Sequence, residues 1–427
     1  MLTAIVVVFV VAYAAIVFEH PFKINKSASA LVGAGLLWTI YALSMGDSSL
    51  VSGQLSESLI GTAQIVFFLM GAMTIVEVVD AHNGCEVITK HIRTSKLSTL
   101  MWLAGFVTFF LSAILDNLTT TIVMISLMKK LLDNHDDRLF FAGMIVVAAN
   151  AGGAWTPIGD VTTTMLWIGG QITTLAIMKG VFIASMINLI VPLLVVSWMV
   201  KGREVVSPPQ AEDSGLLQTT SFERNLMFCM GLGTLVAVPV FKGITHLPPF
   251  LGILFGLGIL WLVGELIHRN KEEDEKEHLT LTHALKKIDM SSIVFFIGIL
   301  LAVATLEHTH ILGALAKWLD QTVGRLDIIV TIIGLVSAIV DNVPLVAASM
   351  GMYSMAQYPA DSFLWEFMAY CAGTGGSILI IGSAAGVAAM GLEKIHFFWY
   401  AKKIAPLALI GYFGGIAAYI VQYKLFH

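Results

Sequence analysis

The sequence predicts an all-α polytopic membrane protein: an inverted repeat of five spans plus one re-entrant hairpin in each half, with discontinuous helices. Three observations predict it. Of 427 residues, 57% are hydrophobic and only 12% charged, against about 25% charged in an ordinary soluble domain. Apolar runs of helical length recur from end to end. In lipid only helices and closed barrels satisfy every backbone amide, and these runs are too long and continuous for barrel strands. Finally, Ser112-Ala113-Ile114-Leu115-Asp116-Asn117 returns as Ser337-Ala338-Ile339-Val340-Asp341-Asn342. A carboxylate at the centre of a membrane helix costs roughly 2.5–3.5 kcal/mol, so its repetition points to function.

Full spans are expected near 2–18, 28–45, 61–80, 139–168, 176–200, 225–242, 249–267, 291–307, 363–390 and 404–423. The first run, from Leu2 to Phe18, has no basic n-region and no clear cleavage site, so it reads as a retained span rather than a signal peptide. Segments 98–132 and 325–357 are apolar but broken by Asp116-Asn117 and Asp341-Asn342. Each half falls short of the ~20 residues a span needs, so each segment reads as a hairpin that enters and leaves on one side. If the loop after the first span is cytoplasmic, 19 of the 24 Lys and Arg fall inside, as the positive-inside rule requires. Both termini then face outside, in a multi-pass protein of the cell's inner (plasma) membrane.

Polar segment 201–224, with Ser207-Pro208-Pro209 and Glu212-Asp213, reads as a cytoplasmic linker between a first repeat (1–200) and a second (225–427). Five crossings per half force opposite orientations. Matches run through both halves in order: Ile65-Val66-Phe67-Phe68 with Ile293-Val294-Phe295-Phe296, then the hairpin motif, then Gly152-Gly153 and Ile158-Gly159 with Gly375-Gly376 and Ile381-Gly382. The charged stretch from His268 to Asp289, with Glu272-Glu273-Asp274-Glu275, reads as a solvated connector. Net charge is −5 and no basic run suits nucleic acid. Cys85, Cys229 and Cys371 have neither disulfide nor metal spacing and are expected to be packing residues. Glu77, Asp80, His82, Glu307, His308, His310, Glu265 and Glu393 fall near span ends, where an interfacial role is expected; His82 and His308 are the first to test for a response to pH. Trp399-Tyr400 fits an aromatic belt.

The chemistry should lie at the breaks. A helix that stops in mid-membrane leaves carbonyls and amides unpaired. Asp and Asn can cap such ends and also offer the oxygen ligands a hard cation wants. Asp116, Asn117, Asp341 and Asn342 therefore form the candidate ion site, with Ser337 beside the second pair and Thr119, Thr120 and Thr121 after the first. Pro344 follows the second tip, where an early-helix proline needs no amide partner. The run from Asn150 to Asp160 interrupts another span: Pro157 removes an amide, and Gly152, Gly153 and Gly159 permit unwound or closely approached backbone. Asp160, with Thr162 behind it, lies at the break. The second half supplies Gly375, Gly376, Ser377, Gly382 and Ser383, so Asp160 faces Ser383 in the alignment and the first half carries the extra charge. Plain glycine packing between helices would account for the glycines but not for Asp160.

These motifs resemble those of the ion transporter superfamily, most closely the NhaD-type sodium/proton antiporters. The resemblance rests on Ser112–Thr121, Asn150–Thr164, Ser337–Pro344 and Gly373–Ser383. It implies a homodimer with scaffold and transport parts, and exchange of Na+ or Li+ for H+ by an elevator-like movement, without a cofactor. A carboxylate can hold either a proton or a sodium ion, and competition for one site makes the two exchange. Asp116 and Asp160 are expected to titrate. Na+ is expected at Asp116, Asn117, Asp160 and Thr162, with Asn150, Ser337, Asp341 and Asn342 as ligands or supports, and Thr119, Thr120, Ser377 and Ser383 behind them. A sodium-coupled anion (dicarboxylate-like) symporter of the same fold is the alternative; related symporters carry Ser-Asn-Thr at the tips, where this chain has Asp116 and Asp341, and no Lys or Arg is expected in the site. An intramembrane aspartyl protease is the remote alternative. Gly159-Asp160 resembles part of its motif, but Pro157 stands where the first glycine belongs.

Overall fold

The computed structural model describes residues 1–17, 19, 23–84, 87, 94–205, 219–269, 271 and 276–426. Cys85, Ser207-Pro208-Pro209, Glu212-Asp213 and Glu272-Glu273-Asp274-Glu275 lie outside the described residues, as does Phe18. Among the described residues every regular element is a helix, apart from a single bridge between Lys96 and Glu204.

The first half runs α1 (Leu2–Val17), α2 (Lys26–Met45), α3 (Ser48–Ala81), α4 (Leu97–Leu115), α5 (Asn117–Leu131), α6 (His135–Gly153), α7 (Val161–Ile168) and α8 (Thr174–Met199). The second runs α9 (Ser221–Thr245), α10 (Pro249–His268), α11 (Leu281–Lys287), α12 (Met290–His308), α13 (Ile311–Thr322), α14 (Leu326–Val336), α15 (Asn342–Met352), α16 (Phe363–Gly375), α17 (Ala384–Glu393), α18 (Phe397–Lys403) and α19 (Ala405–Phe426). Helix starts follow capping chemistry: Asn25 accepts from Ser27 N, Asp47 from Ser49 N and Leu50 N, and Thr220 forms a capping box with Glu223.

Eight of these helices are long and apolar enough to cross a membrane: α2, α3, α4, α8, α9, α10, α12 and α19. Two expectations need correction. Helix α3 is 34 residues long rather than the span 61–80. Its first turns are serine-rich, and their few apolar residues are too diluted to read as a span, yet Ser56 and Ser58 bond back to Ser52 and Gln54 carbonyls within the helix. Helix α4 has 19 residues, enough to cross, whereas α5 with 15 and α14 and α15 with 11 each are too short, as expected for hairpin arms. Helices α11, α13 and α18 were not foreseen. They are short, and in α13 Leu312 and Ala316 are buried while Leu315 and Trp318 are exposed.

The helix pairs come in matching sets. Helix α1 packs on α2 as α9 packs on α10; α2 packs on α12 as α3 packs on α10; and α8 packs on α19. Helices α4 and α5 both lie against α6, and α14 and α15 both lie against α16. Each tip helix also crosses to the other half, α5 onto α17 and α15 onto α7. Helices α6 and α17 of this group are tied by Glu393, which accepts from Arg138 Nε at 3.3 Å. Glu393 is buried, not interfacial as expected. A carboxylate this near two cations is held by them: Arg138 and, at 3.8 Å, Lys129. Tyr400 is likewise buried and donates to the Ser377 carbonyl rather than joining an aromatic belt. Cys371 is buried as a packing residue, whereas Cys229 is exposed.

Candidate ion-binding site

The first tip is a one-residue break. Helix α4 ends at Leu115 and α5 begins at Asn117, with Asp116 between them at φ 76°, ψ 160°. A non-glycine residue in this region costs on the order of 1–3 kcal/mol and persists where the surroundings enforce it. Here the carboxylate enforces it. It accepts from Thr119 N at 2.8 Å and from Thr119 Oγ1 at 3.0 Å, capping α5.

The break between α6 and α7 faces this tip. Asp160 caps α7, its Oδ1 accepting from Thr162 N and Thr162 Oγ1, both at 2.8 Å. Its Oδ2 accepts from Asn117 Nδ2 at 2.7 Å. Asn117 Nδ2 also donates to Asn150 Oδ1 at 2.9 Å, and Asn150 Nδ2 donates to Ser383 Oγ at 2.9 Å. Ser383 in turn caps α17, accepting from Gly386 N. One buried chain of polar groups thus joins the first tip, both broken helices and both halves. It brings together Asn117, Asn150, Asp160, Thr162 and Ser383, while half-buried Asp116 stands next to it and bonds Thr119 instead. Asn117 donates twice through its nitrogen, and its carbonyl oxygen accepts no hydrogen bond among the described residues, so it can serve a cation. Thr120 is buried and its hydroxyl has no partner among the described residues. Ser377 turns away, donating to the Thr374 carbonyl.

The glycines place these breaks. A Cβ on Gly152 would run into the Phe109 carbonyl of α4, and one on Gly375 into the Gly334 carbonyl of α14. In the same way Gly159 meets the Ser112 carbonyl and Gly382 that of Ser337. Ser112 donates to the Ala149 carbonyl at 2.7 Å, and Ser337 to that of Ala372 at 3.0 Å. The hairpins therefore lie on their broken helices through matching contacts. Ser337 sits in that seam. Gly153 ends α6, Pro157 lies within the α6–α7 break, and Gly376 caps the end of α16.

The second tip differs. After α14 the chain makes turns from Ser337 to Val340 before Asp341 caps α15 by accepting from Val343 N at 3.2 Å. Asn342 is buried, and its side chain faces Asp160 across the site. The expectation of no Lys or Arg fails here. Lys26 Nζ, at the start of α2, lies 2.9 Å from Asp341 Oδ2. A partner 315 residues away leaves no sequence signal, and Lys26 looked like one more positive charge inside. Lys242 was missed for the same reason: its Nζ donates to the Trp167 carbonyl at 2.6 Å and lies 4.4 Å from that ring's centre. It thereby neutralises the C-terminal end of α7, whose other end Asp160 caps. Lys242→Met should lower stability by about 1–2 kcal/mol, read as a fall in the unfolding temperature of detergent-purified protein.

A cavity of about 60 Å³ lies between the first tip and helices α3, α9 and α12. Asp116, Asn117, Asp160 and Thr164 line one side; Phe68, Leu69, Met73, Leu235 and Phe296 line the other. It has room for a few waters or a partly hydrated cation. The histidines lie elsewhere. His82 stacks on His268, with Nε2 atoms 3.4 Å apart, and His308 Nε2 is 3.0 Å from Ser58 Oγ.

Residues 13–373 match the family described as citrate transporter (CitMHS). The chain is 49% identical to a protein of Arabidopsis thaliana named Sodium/proton antiporter 1, over 99% of this chain and 73% of that one. It is 45% identical to Sodium/proton antiporter 2 of the same plant, over 97% and 98%. It is 29% identical to Na(+)/H(+) antiporter NhaD of Alkalimonas amylolytica, over 99% and 91%.

Proposed function

This chain belongs to the citrate transporter family, CitMHS, and from that premise we propose that it exchanges Na+ for H+ across a membrane by alternating access. It is a multi-pass transporter rather than an enzyme. The observation that carries the exchange is the pair of carboxylates that line one small cavity, half-buried Asp116 and buried Asp160, the latter bonded by Asn117. Na+ would sit among the carboxylates, the Asn117 carbonyl and Thr162, with Asn150 holding Asn117 in place. A proton bound by either carboxylate would occupy the same charge and compete with the ion. Two charges left uncompensated in so small a cavity are costly, so the empty form is a poor traveller and transport is exchange. The anion-symporter alternative is weaker: no ammonium or guanidinium is bonded to the first tip among the described residues, and Lys26 is neutralised by Asp341.

The paired helix contacts and matching glycine approaches support an inverted repeat divided near residues 201–224. Li+ as a second transported ion, a homodimer, an inner plasma membrane location and outward termini follow from the resemblance and the basic-residue bias.

Everted vesicles carrying a pH-sensitive dye test the function. Na+ should dissipate the proton gradient; dissipation by an added organic anion alone would overturn the proposal in favour of symport. Competition also sets the pH dependence. Where the site is mostly protonated, each unit rise in pH should lower the apparent KM for Na+ by up to about tenfold for one competing proton. A KM independent of pH would mean that the ions bind different sites.

A further inference from the structure

The two tips share the Asp-Asn pair but differ in backbone and in charge. The first presents Asp116 with Asp160 nearby. The second presents Asp341 with Ser383 in the matching position, and an ammonium is already there. Lys26 Nζ is 2.9 Å from Asp341 Oδ2 and 4.5 Å from the centre of the buried Phe295 ring. A carboxylate on one side and a ring face on the other are what a desolvated cation seeks. The neighbouring Tyr13 hydroxyl, within electrostatic reach of Asp341, is buried without a hydrogen-bond partner among the described residues. The second tip is thus a partly buried cation site whose occupant comes from the protein itself.

We propose that Lys26 is the resident cation of the second tip, holding the place on Asp341 that an alkali ion would take, so that each chain keeps one exchangeable ion site instead of two. This rests on the exchange function proposed above. A tethered ammonium acts at an effective concentration of millimolar or more, and it leaves the second tip neutral. The first tip, with two carboxylates and no attached cation, remains the one that requires an ion or protons.

Binding of 22Na+ to the purified full-length protein at alkaline pH tests the count. Wild type should bind one ion per chain. Lys26→Gln should bind two, and the Hill coefficient for Na+-driven exchange should rise from near one toward two. Lys26→Arg should keep one, and the double variant K26Q/D341N should return to one. Two ions bound by wild type, or one still bound by folded K26Q, overturns the proposal. Should K26Q not be recovered folded, the wild-type count still decides, because two ions there exclude a resident lysine. Absence of both binding and exchange in wild type would instead defeat the exchange function itself.

Discussion

Asp160→Asn is expected to reduce Na+-driven proton exchange at least about 100-fold, with folded protein still present in the membrane. Asparagine caps helices as well as aspartate does, so the start of α7 should survive. What disappears is the charge. Asp160 receives three hydrogen bonds, from Asn117, Thr162 N and Thr162 Oγ1. Bonds to a charged group contribute roughly 1.5–3 kcal/mol each, and 100-fold corresponds to about 2.7 kcal/mol. An amide has one oxygen to accept with, and its NH2 would confront that of Asn117. It can also neither bind nor release a proton in the working range. Asp160→Glu keeps the charge but adds a methylene at a position only 2% exposed, so it should retain partial exchange. Dye dequenching in everted vesicles, normalised to the amount of folded protein, measures both. Exchange by D160N at the wild-type rate would remove Asp160 from the site.

Gly152→Ala should destabilise the protein by about 3 kcal/mol or more. The new Cβ would meet the Phe109 carbonyl, a backbone atom inside α4 that cannot rotate aside. Overpacking a core against side chains costs about 1–3 kcal/mol, and a fixed carbonyl gives less. Gly375→Ala should behave alike, against the Gly334 carbonyl. Gly391 in α17 is the control: nothing lies within contact of its added Cβ, and alanine there should be neutral or gain up to about 1 kcal/mol from helix propensity. Thermal unfolding in detergent should separate the pair from the control. Equal unfolding temperatures for G152A and wild type would mean that hairpin and broken helix do not lie this close.

The parts of the fold legible in advance were those written in short-range chemistry. Apolar runs located the spans within a few residues, because burial in lipid constrains almost every position. Asp116, Asp160 and Ser383 were legible as breaks because each is a capping residue beside glycine, proline or its own repeat. The serine-rich start of α3 was not, since hydropathy does not register a helix whose outer turns are polar. Glu393 and Tyr400 were misjudged for a related reason: a polar residue near a helix end looks interfacial until its partners, Arg138 and the Ser377 carbonyl, are known.

By itself the sequence determined the helical membrane class, the helix breaks at Asp116 and Asp341, and which residue types had to serve them, since each follows from local periodicity and from what an unpaired amide or carboxylate costs in lipid. Tertiary structure alone decided that Asn117 reaches both Asn150 and Asp160, that Asn150 crosses to Ser383, and that Lys26 closes on Asp341. Those contacts join residues separated by 33 to 315 positions. Such distances are set by how helices stack, and a side chain's neighbours across a stack leave no periodic mark on the chain that carries them.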